Sequence, residues 1–88
     1  MKLILDGEKI QSREDLLRVM EDTFDFPEWF GGNLDALYDC LTELMEETDI
    51  EILHQAALEQ NLGDYAGRVL QMLRDAEGAN LNIRVITD

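Results

Sequence analysis

Three short apolar segments, separated by stretches of helical periodicity, constrain the fold of this chain more than any other feature of its sequence. The segments span residues 3–5, 50–53 and 81–86, and each has the length and apolar content of a strand. In the last segment, every second residue from Leu81 to Val85 is apolar, as in a half-buried strand. Strands that are separated by helices favour a parallel sheet with right-handed crossovers. The sequence therefore predicts a small α/β domain with a three-stranded parallel sheet and three or four helices.

The stretches between these segments predict a first and a last helix with identifiable ends. Ser12 can cap a helix over residues 13–24, because its hydroxyl can accept a hydrogen bond from a free amide of the first turn. Asp64 can cap the last helix in the same way, and Gly78 stands where the C′ glycine of that helix is expected. A short helix over residues 55–61 is only weakly indicated.

A second helix is predicted over residues 34–46, with Asn33 as its N-cap. One face carries an apolar stripe at core-facing spacing, which consists of Leu34, Leu37, Leu41, Leu44 and Met45. The opposite face is polar and carries Asp35, Asp39, Thr42 and Glu46. Tyr38 falls at the border between the two faces, and Cys40 falls at the edge of the apolar stripe, where it is expected to be a buried filler.

The charge of the chain is strongly acidic and is confined to its middle. The 88 residues include 20 acids and 7 bases, which gives a formal net charge of −13. No base occurs between Arg18 and Arg68, so residues 19–67 carry the whole of this excess. Such a chain is repelled by nucleic-acid phosphates and by anionic membranes. Both are excluded as partners, whereas a cationic protein is favoured.

The length and the cysteine content set the expected organisation and location. A chain of 88 residues is expected to form a single domain over residues 1–88. One cysteine permits no intramolecular disulfide, which is typical of a reducing compartment. The N-terminal apolar run is too short for a signal peptide, and no stretch approaches the roughly 20 apolar residues of a membrane span. We therefore expect a cytoplasmic protein.

The sequence shows no arrangement of residues that predicts catalysis. A single histidine, His54, and a single cysteine leave no zinc-binding spacing. No glycine pattern for phosphate or dinucleotide binding is present either. A lone histidine after a strand is more often a packed or surface residue than a catalyst. We predict that the protein is not an enzyme and has no cofactor.

Two carboxylates on the predicted second helix are the strongest candidates for a site. Asp35 and Asp39 are four residues apart, which places their β-carbons about 5–6 Å apart on one helical face. A solvated acidic face is the simplest interpretation. The aromatic residues Trp29 and Tyr38 flank the pair, however, and aromatic anchors among charged residues are typical of interface centres. A metal site that includes Glu43 is a third interpretation, but a straight helix offers too few converging oxygens for Ca²⁺.

The segment from Pro27 to Thr42, PEWFGGNLDALYDCLT, resembles the signature of the barstar family. These are small cytoplasmic proteins that inhibit an extracellular ribonuclease made by the same cell. Weaker similarity covers nearly the whole chain, including Gly7-Glu8 and residues 69–76. The resemblance implies a barstar-like three-stranded parallel sheet, and a helix and preceding loop that plug the ribonuclease active site. In such inhibitors, acidic groups take the place of RNA phosphates.

The resemblance also implies roles for individual residues. Asp39 would be the central carboxylate, bonded to catalytic Arg and His groups of the enzyme, and Asp35 would contact a donor at the rim. The remaining residues that the resemblance places in the partner-binding surface are Trp29, Gly31, Asn33, Tyr38, Thr42, Met72 and Asp75.

Three hypotheses follow for the function. The first is an inhibitor of a basic extracellular-type ribonuclease, barnase-like or related, that acts as a monomer and forms a 1:1 complex. The second is an acidic immunity or antitoxin protein that neutralises a different basic nuclease toxin. The third is an enzyme or metal protein that uses Asp35 and Asp39.

Overall fold

The computed structural model describes residues 1–24, 26 and 32–87, and within these ranges it confirms the predicted α/β class. The elements in chain order are β1 (Lys2–Asp6), α1 (Arg13–Thr23), α2 (Leu34–Thr42), β2 (Thr48–Leu53), α3 (Gln55–Leu62), α4 (Asp64–Ala79) and β3 (Ile83–Thr87). The weakly indicated short helix is thus formed as α3. None of the helices in these ranges combines the length and the apolar character that crossing a membrane requires.

The sheet is parallel throughout, with β2 between β1 and β3. Leu3 pairs with Ile50, which in turn pairs with Val85. These three residues are buried, whereas the intervening residues Ile4 and Ile86 are exposed. The sheet therefore buries one face against the helices and leaves its other face to solvent.

The helices supply the other half of a single apolar core. Among the described residues, the largest fully buried side chains of this core belong to β1, β2 and the four helices. One more, Ile10, belongs to the segment that connects β1 to α1. They are Leu3, Leu5, Ile10, Leu16, Met20, Leu37, Leu41, Ile50, Ile52, Leu58, Val69 and Leu73. Because α2 and α4 both pack on this core and on each other, the core fixes the relative position of the two helices.

Several predicted element ends are wrong. The predicted second helix extended to residue 46, but α2 ends at Thr42, and Met45 is 91% exposed rather than packed in the core. Gly78 lies inside α4 and not at its C′ position, since the helix continues to Ala79. Leu81 is fully exposed and precedes β3.

The start of α4 also differs from the prediction. Asp64 is the first residue of the helix and does not cap it. Gly63 occupies the capping position with φ of 59°, and the helix has no side-chain capping bond there. Glycine adopts this left-handed conformation without the steric cost that other residues incur, so the sharp connection between α3 and α4 depends on it.

A close backbone approach holds the end of β1 against the start of α3. The Gly7 amide donates a hydrogen bond of 2.8 Å to the Leu53 carbonyl. A Cβ atom on Gly7 would lie 2.6 Å from the Leu58 amide nitrogen and would also overlap the His54 carbonyl oxygen. The Asn61 side chain donates to the Gly7 carbonyl at 3.0 Å. The structure therefore requires glycine at position 7.

We expect Gly7→Ala to lower the free energy of unfolding by about 3 kcal/mol, because backbone atoms cannot move away from the added methyl group. Gly67→Ala is the matched control, since Gly67 lies in α4 with open space around it. The control is expected to stabilise the protein by about 0.5–1 kcal/mol through helix propensity. Urea unfolding measures both values, and a change of the same sign and size in both variants would contradict the structural argument.

Candidate functional site

The N-terminus of α2 is fixed by the predicted cap. The Asn33 side-chain oxygen accepts a hydrogen bond of 2.8 Å from the Ala36 amide, and the Asn33 carbonyl accepts one of 3.0 Å from the Leu37 amide. Gly32 precedes the cap with φ of 71°. Asp35 therefore lies in the first turn, where the helix dipole stabilises a negative charge.

Burial of one side of α2 determines where its carboxylates face. Leu37 and Leu41 are fully buried, and Cys40 is buried beside them, as predicted. Asp35 and Asp39 are exposed on the same helix. A rotation of α2 that buried either carboxylate would pull leucine out of the core, so the packing holds both acids toward solvent.

The C-terminus of α2 is held by an asparagine that the sequence analysis missed. The Asn80 side-chain amide donates hydrogen bonds to the carbonyls of Leu41 at 3.0 Å, Thr42 at 3.3 Å and Leu44 at 2.9 Å. Asn80 is itself only 8% exposed. The last carbonyls of a helix have no partner within the helix, and here a residue that follows α4 satisfies them.

The same asparagine explains two of the wrong predictions. Its side-chain amide donates a hydrogen bond to the Leu44 carbonyl. The chain therefore leaves the helix after Thr42, and Met45 is exposed. Its side-chain oxygen accepts from the Asn82 amide at 3.0 Å, which makes a tight turn between α4 and β3. That turn projects Leu81 into solvent.

Helix α4 brings further predicted residues beside α2. A surface cavity of about 430 Å³ lies between the two helices. Its lining residues are Leu34, Asp35, Tyr38, Arg68, Gln71, Met72 and Asp75. Four of the nine residues predicted to bind a partner, Asp35, Tyr38, Met72 and Asp75, therefore share one concave surface. Met72 is 7% exposed, so most of its side chain belongs to the core.

The other predicted site residues are placed differently. Asp39 and Thr42 lie further along α2 and do not line this cavity. The Thr42 hydroxyl donates a hydrogen bond of 3.0 Å to the Asp39 carbonyl. The hydroxyl proton is therefore bound within the helix, whereas the hydroxyl oxygen can still accept a hydrogen bond. Trp29 and Gly31 lie outside the described residues.

The carboxylates of this surface form no salt bridge with the residues that the structure describes, although Arg68 lines the same cavity. Within residues 1–24, 26 and 32–87, neither Asp35, Asp39 nor Asp75 forms a salt bridge. Asp75 instead accepts a hydrogen bond of 3.0 Å from the Gln71 side chain. None of the three carboxylates is therefore held by a salt bridge within the described residues, and α2 and α4, which carry them, pack on the core.

The donor atoms that could hold a metal ion lie elsewhere. In the described part of the chain, the potential ligand atoms of Asp6, Glu8 and His54 all lie within 4.8 Å of one another. His54 Nδ1 lies 2.9 Å from an Asp6 oxygen and 3.4 Å from a Glu8 oxygen. The bond to His54, and then the bond from the Glu8 amide, lower the pKa of Asp6. Asp35, Asp39 and Glu43 are not in such a group, so α2 offers no support for the metal interpretation.

Comparisons with known proteins match most of this chain to one family. A family model described as Barstar (barnase inhibitor) matches residues 1–86. A protein of Bacillus subtilis (strain 168), YrdF, is named as a candidate ribonuclease inhibitor, and it is 36% identical to this chain over 77 residues. The aligned region covers 86% of this chain and 85% of that protein.

We expect Asn80→Ala to lower the free energy of unfolding by about 2 kcal/mol, because it leaves buried carbonyls at the end of α2 without donors. Gln60→Ala, at an exposed position of α3, is the control and should change stability by less than about 0.5 kcal/mol. Urea unfolding followed by circular dichroism measures both. Equal stabilities of the two variants would show that solvent replaces the Asn80 amide without cost.

We also expect the Cys40 thiol to react slowly in the folded protein. Burial, and then the nearby charges of Glu43 and Asp39, raise the pKa of Cys40, so less of the reactive thiolate is present at pH 8. Alkylation by iodoacetamide at that pH should be about tenfold slower, or more, than in the same protein unfolded in concentrated urea. Equal rates in the two states would mean that Cys40 is accessible in the folded state.

Proposed function

The chain belongs to the Barstar family, and from this premise we propose that it is a non-catalytic inhibitor of a small basic microbial ribonuclease. It binds the enzyme as a monomer in a 1:1 complex and covers the active site. The observation that carries the proposal is the pair of exposed carboxylates, Asp35 and Asp39, on a helix that is fixed at both ends. The family description and the name of the Bacillus subtilis relative support the ribonuclease as the target class.

The chemistry of the target explains why such a surface inhibits it. A ribonuclease cleft has to be cationic in order to bind the phosphates of RNA. Carboxylates on α2 occupy the phosphate positions of that cleft and offer no bond that the enzyme can cleave. Because the helix is already ordered before binding, little conformational entropy is lost when the complex forms.

Each residue of the surface has a role in this proposal. Asp39 binds the catalytic Arg and His groups at the centre, and Asp35 binds a donor at the rim. Asp75 and Met72 extend the contact onto α4, across the cavity that they share with Asp35. Other contacts come from Asn33, Tyr38 and Thr42, and from Trp29 and Gly31 in the loop that precedes α2.

The net charge of −13 adds long-range attraction to these contacts. A field of this sign accelerates encounter with a cationic enzyme and is screened by salt. We place the protein in the cytoplasm, where it would protect the cell's own RNA from an enzyme that is destined for export.

A titration of barnase with this protein, followed by cleavage of an RNA substrate, tests the proposal. The expected result is complete loss of activity at one equivalent of inhibitor, with association that slows as salt is raised. Related microbial ribonucleases are tested in parallel. No inhibition and no complex with any of them would overturn the proposal, and a pull-down that captures a deoxyribonuclease would favour the immunity-protein alternative.

Asp39→Ala is expected to raise the Kd for the ribonuclease by more than about a hundredfold, because the enzyme's cationic groups would be buried without a partner, at a cost of about 3 kcal/mol or more. Glu47→Ala is the matched control, since it removes the same charge from an exposed position outside α2. The control should change Kd by only a few fold. Similar effects of the two substitutions would show diffuse electrostatics instead of a specific site.

A further inference from the structure

The cavity between α2 and α4 contains a base among its acids. Arg68 lines this cavity together with Asp35 and Asp75. It is exposed on α4, and across the described ranges of the chain it forms no salt bridge. Arg74, six residues further along the same helix, instead has a guanidinium nitrogen 3.5 Å from a Glu77 carboxylate oxygen. Among the described residues, the charge of Arg68 is therefore not neutralised by a salt bridge, although Asp35 and Asp75 line the same cavity.

The local contacts of Arg68 leave the neighbouring carboxylates available. Its guanidinium carbon lies 5.9 Å from the centroid of the Tyr65 ring, a distance at which a cation is attracted to the ring face. Tyr65 is buried, so its ring is a fixed contact for the Arg68 guanidinium. Asp75 takes its hydrogen bond from Gln71 at 3.0 Å, and not from Arg68.

A guanidinium that forms no salt bridge within the inhibitor has consequences when a cationic enzyme docks on this surface. The enzyme's basic groups bind Asp35 and Asp39, and the cavity between α2 and α4 loses its water. A buried charge without a partner is strongly unfavourable, and like charges brought together across an interface select against the wrong partner. With Asp35 bound to the enzyme and Asp75 bonded to Gln71, an enzyme surface that places an anion opposite Arg68 is favoured over one that does not.

We propose that Arg68 binds a carboxylate on the target ribonuclease and that this contact selects among basic ribonucleases. The proposal rests on the inhibitor function proposed above and specifies its partner: a cationic cleft with an acidic side chain at the position that faces α4. The planar guanidinium can bind both oxygens of that carboxylate, so the contact also fixes the orientation of the enzyme on the inhibitor.

The test compares Arg68→Glu with Arg18→Glu, using barnase as the probe. Arg18 lies on α1, is exposed, and pairs only weakly with Asp15 at 3.7 Å. Both substitutions make the net charge more negative by the same amount, so long-range attraction alone predicts faster association for both. Stopped-flow association and dissociation rates are measured at low and high salt, and urea unfolding verifies that both variants remain folded.

The proposal predicts different dissociation rates for the two variants. Arg68→Glu should dissociate about tenfold faster than the parent protein or more, because a charge-assisted bond is replaced by repulsion between carboxylates. Arg18→Glu should dissociate at the parent rate. In addition, alanine substitution of one acidic residue in the enzyme's cleft should weaken the parent complex but leave the complex of Arg68→Gln unchanged.

The outcomes separate this proposal from the function on which it rests. If the parent protein inhibits barnase and Arg68→Glu binds as tightly as Arg18→Glu, the role of Arg68 is wrong and the inhibitor function stands. If the parent protein binds neither barnase nor a related microbial ribonuclease, the inhibitor function fails and the role of Arg68 fails with it.

Discussion

The buried side-chain amide of Asn80 connects the parts of the molecule on which the candidate site depends. It follows α4, precedes β3, and donates to carbonyls at the end of α2 that lie 36 to 39 residues earlier in the chain. A buried polar group is stable only when its hydrogen bonds are made, and these bonds can be made in one arrangement of the three elements. The relative position of Asp35 and Asp75, on different helices, follows from that arrangement.

The acidic surface is thus a product of apolar packing and hydrogen bonding, not of attraction between its own charges. Asp35 and Asp39 repel each other weakly across one helical turn. The cost is offset because Leu37 and Leu41 are fully buried on the other side of α2. Stability therefore depends on one face of α2 and the proposed partner binding on the opposite face, so substitutions on the acidic face are expected to leave the core intact.

The sequence predicts the features of this fold that arise locally. Short apolar runs identified three strands, and the helical segments between them indicated a parallel sheet. Asn33 was predicted as a cap from its position before the helix, and its bond to the Ala36 amide confirms this. The end of α2 at Thr42 and the exposure of Leu81 depend on Asn80, whose bonds no local pattern reveals. The acidic face of α2 was also predictable from periodicity. The cavity that joins Arg68 to Asp35 was not, because it requires the packing of α4 on α2.

The nine residues of α2 have a consequence for how this kind of protein can diversify. A helix of that length spans about 14 Å, and each added or removed residue rotates everything beyond it by about 100°. Since Asn33 and Asn80 anchor its two ends, an insertion or deletion between them would turn one carboxylate away from the partner. Beyond Leu44, whose carbonyl Asn80 binds, residues 45–47 complete the connection to β2, and a change in their number does not rotate the side chains of α2. New specificities are therefore expected to arise by side-chain replacement at constant helix length, whereas length variation is confined to the loop that follows.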